Sequence, residues 1–170
     1  VSYQFYQEES DRITVESWYL RGGLDLTEST SFRFQYLNDA ISGSSPTGVL
    51  PGNERPFLAD LEDLRQGVLG ALSQRIGNHR VEVELSHSEE NDYDSRGLAI
   101  SDEIELNQKN TVLSLGFNYL DDSVKVPGLG DHRKETYDFF LGATQLIDKN
   151  TTLTANFTLG WANGYLNDPY

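Results

Sequence analysis

"RVEVELSHSEENDYDSRGLAISDEIEL", residues 80–106, holds two alternating stretches with a burst of acids between them. Val81, Val83 and Leu85 fall on one side, and Arg80, Glu82, Glu84 and Ser86 on the other. After the burst, Leu98, Ile100, Ile104 and Leu106 alternate with Gly97, Ala99, Ser101, Glu103 and Glu105. A period of two predicts strands, each with one apolar and one polar face. What the apolar faces touch decides the fold.

The same pattern runs outward in both directions. Nine strand-like segments can be marked: 1–7, 13–26, 31–42, 64–75, 79–88, 96–106, 111–120, 135–147 and 151–165. In "TVLSLGFNYL", Leu113, Leu115, Phe117 and Tyr119 oppose Ser114, Gly116 and Asn118. In "TTLTANFTLGW", Leu153, Ala155, Phe157, Leu159 and Trp161 oppose Thr154, Asn156, Thr158 and Gly160. Most segments reach the 9–11 residues that a tilted strand needs to cross a bilayer, against about 5–6 for strands of soluble domains.

Connections alternate too. "TEST" (27–30), "IGNH" (76–79), "NQKN" (107–110) and "DKN" (148–150) read as tight turns. The intervening stretches 8–12, 43–63, 89–95 and 121–134 read as longer, acidic loops. An up-and-down antiparallel sheet would gather the short turns at one end and the long loops at the other, as outer-membrane barrels do. Within the longest loop, "ERPFLADLEDL" (54–64) fits either a short helix or the lead into the fourth strand. Tyr36, Tyr119, Trp161 and Tyr165 fall near the long-loop ends, where they would make an interfacial aromatic girdle.

Bulk composition narrows the function classes. Among 170 residues, 27 acids oppose 13 bases, a net charge of −14, so a nucleic-acid partner is not expected. The lack of cysteine removes disulfides, zinc–thiolate sites and thiol nucleophiles. No apolar run of about 18 residues offers a transmembrane helix. A mean hydropathy of −0.51 fits a soluble chain, and equally a barrel whose lumen and loops are polar. The chain starts without methionine on "VSYQFYQ", as if inside a strand, which suggests a processed chain or a piece of a longer one.

Several motifs together resemble one bacterial family. They are "NDAISGSSPTG" (38–48), the block 61–97 that runs from "LEDLRQG" to "DYDSRG", "NTVLSLGFNYLDD" (110–122) and "GWANGYLNDPY" (160–170). The family they resemble is an outer-membrane barrel family catalogued only as a domain of unknown function. The resemblance implies an antiparallel transmembrane β-barrel in the outer membrane of a Gram-negative cell, in contact with outer-membrane lipid. It implies no catalytic residue. Chains of that family run about twice as long, with further strands after "NDPY". Nine strands is also an odd number, where single-chain bacterial barrels have even ones, so an open sheet is expected here. The gene neighbours attributed to the family are flavin-attaching and thioredoxin-like, which points to envelope partners engaged in redox work.

The residues offer little catalytic chemistry. His87 and His132 fall near the acidic loops and His79 at the opposite end, with no Ser–His–acid spacing. Glu89, Glu90, Asp92 and Asp94 crowd one loop and are the expected ligands of a calcium ion at the outer rim, alongside the plainer reading of a solvated loop. The strand register turns Arg21, Asp25, Arg33, Glu82, Glu84, Glu103, Glu105 and Asp138 toward the lumen. A filled barrel would pair Arg33 or Arg80 with acids, and a wide one would leave them in water. The expected protein is therefore an all-β, porin-like barrel wall over residues 1–170, non-enzymatic, with a structural or pore role. Two rivals stay open: a barrel that sheathes or docks a redox or export partner, and a soluble secreted β-sandwich that binds glycan or protein.

Overall fold

Period-two sequence becomes strand because alternate side chains leave a pleated backbone on opposite sides. The computed structural model describes residues 1–8, 13–46, 58–126 and 128–166. Nine strands follow one another: β1 (Ser2–Gln7), β2 (Ile13–Asp25), β3 (Thr30–Pro46), β4 (Leu58–Ile76), β5 (His79–Glu89), β6 (Tyr93–Leu106), β7 (Thr111–Val126), β8 (Gly130–Asp148) and β9 (Thr151–Gly164). Each pairs antiparallel with the next, in a single sheet ordered β1 to β9. Among the described residues there is one sheet, with no second sheet over either face. The outer strands β1 and β9 do not pair with each other, so the sheet is open.

The tight turns sit where the Asn- and Gly-rich sequences place them. Gly77 turns the β4–β5 hairpin with φ of +62°, a conformation that costs glycine nothing. At the β8–β9 hairpin the Asn150 amide donates to the Asp148 carboxylate at 2.8 Å, an Asx turn. Strict next-neighbour pairing puts these short turns at one end and the 90–92 turn at the other.

Strand ends differ from expectation at that other end. β3 continues to Pro46 and β4 starts at Leu58, so residues 58–64 are strand and not helix. Residues 54–57 lie outside the described residues. β7 and β8 run through most of 121–134, and β6 begins at Tyr93, which shrinks two of the expected long loops to short connections. The polar ends of these strands stay paired because the ladder and its ions continue: Arg133 on β8 donates to Asp121 on β7 at 2.7 and 3.1 Å.

The register sorts the side chains cleanly. One hydrogen-bonded row reads Phe32, Leu72, Val83, Ile100, Phe117, Phe139, Leu159 across β3 to β9. The next row toward the polar ends carries Leu85, Leu98, Tyr119, Tyr137 and Trp161. Tyr137 packs between Tyr119 and Trp161, at centroid distances of 5.0 and 6.2 Å. This apolar face is open: Leu141 is 52% and Trp161 70% exposed. Buried residues such as Ala71, Ser73, Ser17 and Asp122 all lie on the opposite, polar face. Tyr165 departs from the girdle and stacks on His132 at 5.0 Å.

Candidate functional site

The polar face carries the charges that the alternation assigned to it. Arg33 on β3 reaches across β4 to Glu82 at 2.8 Å and Glu84 at 3.2 Å on β5. Arg80 lies 3.8 Å from Glu103 and donates to Ser73 at 3.2 Å. Arg21 covers the ring of Tyr19 at 5.2 Å. Arg33 and Arg80 remain 55% and 51% exposed. Half-solvated pairs of this kind contribute at most about 1 kcal/mol each. They orient charge along this face and do not form a buried ionic core. Arg33, Arg80, Glu82, Ser101 and Glu103 line a cleft of about 220 Å³ on this face.

The acidic rim divides in two. Glu90 and Asp92, in the β5–β6 turn, come together with Asp63 of β4, with one carboxylate oxygen of each within 4.8 Å of the others. The Asn91 amide donates to Asp63 at 3.4 Å. Burial raises the Glu90 carboxyl above its ordinary range, against the lowering influence of Arg65 at 3.3 Å. Glu89 and Asp94 are directly opposite each other on β5 and β6, on the continuation of the apolar face. Asp94 there lies 3.8 Å from His87 and 3.5 Å from Arg96. Asp63 escaped notice because its partners are distant in sequence and meet it only through the β4–β5 ladder.

The histidines do not form a constellation. His87 shares the face of Leu85, and His132 pairs with Val124 on the polar face. His79 donates from Nδ1 to the Asp102 carboxylate at 2.8 Å near the short turns.

The most enclosed polar group lies in a stretch whose sequence reads as a loop, 121–134. Asp122, only 1% exposed, accepts from the Tyr93 hydroxyl at 2.5 Å and from the Ser95 hydroxyl at 2.7 Å. Lys134 stands 3.1 Å from the same carboxylate and donates to the Tyr93 oxygen at 2.9 Å. This network ties β6, β7 and β8 together on the polar face. A doublet of aspartates followed by a basic doublet twelve residues on was its one trace in sequence.

An open meander with one exposed apolar face and one charged face is the wall architecture of outer-membrane β-barrels. Solved structures share it. Over 94% of its length the chain superposes on an outer-membrane expressed OmpT of Vibrio cholerae, with a TM-score of 0.63, 14% identity and 53% of that chain covered. It superposes over 96% of its length on OccAB1 of Acinetobacter baumannii, with a TM-score of 0.63, 10% identity and 48% of that chain covered. For OccK2 (OpdF) of Pseudomonas aeruginosa, solved in complex with glucuronate, the TM-score is 0.57, the identity 12%, and 94% of this chain matches 51% of that one. The chain thus spans about half the length of these barrels. No curated protein matches it. The chain belongs to the family described as "Protein of unknown function (DUF3570)", whose model matches residues 49–132 and 128–170.

Proposed function

We propose that this chain forms part of the wall of a non-enzymatic pore in the bacterial outer membrane. The observation that carries the reading is the opposition of faces. Among the described residues, the mid-strand side chains on one face of β3 to β9 are mostly apolar with nothing over them, while their neighbours on the other face hold half-solvated ions. A bilayer suits the first face, and a water-filled lumen suits the second. The barrels of similar fold include porin-type proteins, one of them holding a sugar acid, glucuronate. Acids exceed bases on the polar face, so the pore should favour cations. The test is the zero-current potential of the native full-length protein in a planar bilayer under a KCl gradient. The expected potential is that of a cation-selective channel, and Glu82→Gln with Glu103→Gln should move it toward zero. Anion selectivity would overturn the assignment of this face to the lumen. Absence of any conductance would favour a structural or sheathing role.

Calcium at the outer rim belongs to the same reading, with Asp63, Glu90 and Asp92 as ligands. Glu89 and Asp94 would act only from the neighbouring outer face. Because burial holds the Glu90 carboxyl high, protons compete with the ion, and affinity should rise as pH climbs through that raised value. Calorimetric titration should give heat that Asp63→Asn abolishes. No heat and no thermal stabilisation at millimolar calcium would leave these acids as a solvated rim.

A further inference from the structure

We propose that the polar face carries a subsite for neutral saccharides, built on the ring of Phe140. The proposal rests on the pore reading, since it needs that face to be wetted. Among the described strand residues, large exposed apolar side chains belong to the apolar face. The exceptions are Tyr6 on the edge strand β1, the bulge at the foot of β8, and Phe140 in the middle of β8. Phe140 pairs with Gly116 on β7 and Thr158 on β9, and is 37% exposed. This ring packs into no core among the described residues and lies on the face opposite the apolar one.

Its surroundings are shaped for a ligand. The ring leans along its own strand over Gly142, where a Cβ would lie 3.1 Å from Cε1 and Cζ. Glycine at 142 is thus what admits the ring. Asn156, opposite Gly142 on β9, brings its amide oxygen to within 3.0 Å of the same point. Asp138, the next residue on this face of β8, lies over Gly160, with Oδ1 at 2.8 Å from a Cβ built there. Asn118 donates to Asp138 at 3.2 Å. Three planar polar groups therefore stand on the positions around this ring, and the glycines at 142 and 160 give the ring and the Asp138 carboxylate the room they occupy.

A pyranose matches that pattern. Its C–H face meets the electron-rich face of an aromatic ring. Its paired hydroxyls suit planar carboxylate and amide groups, which accept and, for the amides, also donate. An organic cation is the competing occupant, since a ring and a carboxylate attract it as well. A quaternary ammonium group offers no hydrogen to these carboxylate and amide oxygens, whereas sugar hydroxyls do.

The experiment uses the native full-length protein in planar bilayers, with maltotriose as the neutral probe and choline as the cationic one. Maltotriose should interrupt the current in a concentration-dependent way. Phe140→Ala should raise its half-blocking concentration at least about tenfold, equivalent to about 1.4 kcal/mol, and Phe140→Tyr should leave it within a small factor. Open-channel conductance without maltotriose block, block indifferent to Phe140→Ala, or block by choline alone would overturn the subsite while the pore stands. Should no conductance appear, saturation-transfer NMR of the detergent-solubilised protein replaces it. Maltotriose contact that Phe140→Ala abolishes would then support the subsite without the pore, and no contact would overturn it.

Discussion

Leu141→Arg should destabilise the folded protein in lipid vesicles by about 2–4 kcal/mol, the cost of a lipid-facing cation near the bilayer midplane. Leu141 sits midway along β8, is 52% exposed, and has only Leu115 and Phe157 beside it on the ladder. Ser114→Arg, one row away on the polar face, places its cation between Gly142 and Glu103. It should cost far less, because water and a carboxylate are at hand. Leu115→Arg is the informative intermediate. Position 115 lies directly opposite Asp102, so a new cation there gains a partner and should cost less than at 141. Urea unfolding of the native protein in vesicles reads all three. Equal losses at 141 and 114 would mean that the two faces do not differ in solvent, and the membrane assignment would fail.

Asp122→Ala should be as severe for a different reason. Removing this carboxylate leaves the Lys134 ammonium and the Tyr93 and Ser95 hydroxyls without their common acceptor in a buried site. Breaking a fully buried pair from one side costs about 3–5 kcal/mol, most of it the desolvation of the charge left behind; with Lys134 27% exposed, the loss should fall at the lower end of that range. Replacing both partners, Asp122→Ala with Lys134→Met, should recover much of that loss, since no lone charge remains. Asp121→Ala is the control on the opposite face: Arg133 is 64% exposed and simply returns to water, so the change should stay within about 1 kcal/mol. The same unfolding midpoints decide it. If Asp122→Ala behaves like Asp121→Ala, the network does not hold β6, β7 and β8 together.

The nine strands, their order along the chain, the tight turns and the two faces were legible in the sequence alone. The physical reason is that side-chain alternation is a local property of extended backbone, and a turn needs only its own few residues. "TVLSLGFNYL" shows its apolar side and its polar side without reference to any other strand. The upper strand ends were not legible. In 121–134 the apolar face of the strands turns polar, with Asp121, Ser123 and Lys125 on it, and the apolar positions Val124 and Val126 move to the other face, so the period seen in mid-strand is lost while the backbone ladder continues. What only the tertiary structure decided is which charges meet. Asp63 joins Glu90 and Asp92 because β4 and β5 pair in one particular register, and Asp94 is turned away from them by a single residue of pleat. His87 and His132, both near acidic stretches in sequence, end on opposite faces for the same reason. In sequence Phe140 lies within the strand-like segment 135–147 with nothing to single it out. It became a candidate ligand platform only once Gly116, Gly142 and Gly160 were placed around it by two strand registers, which no local pattern encodes.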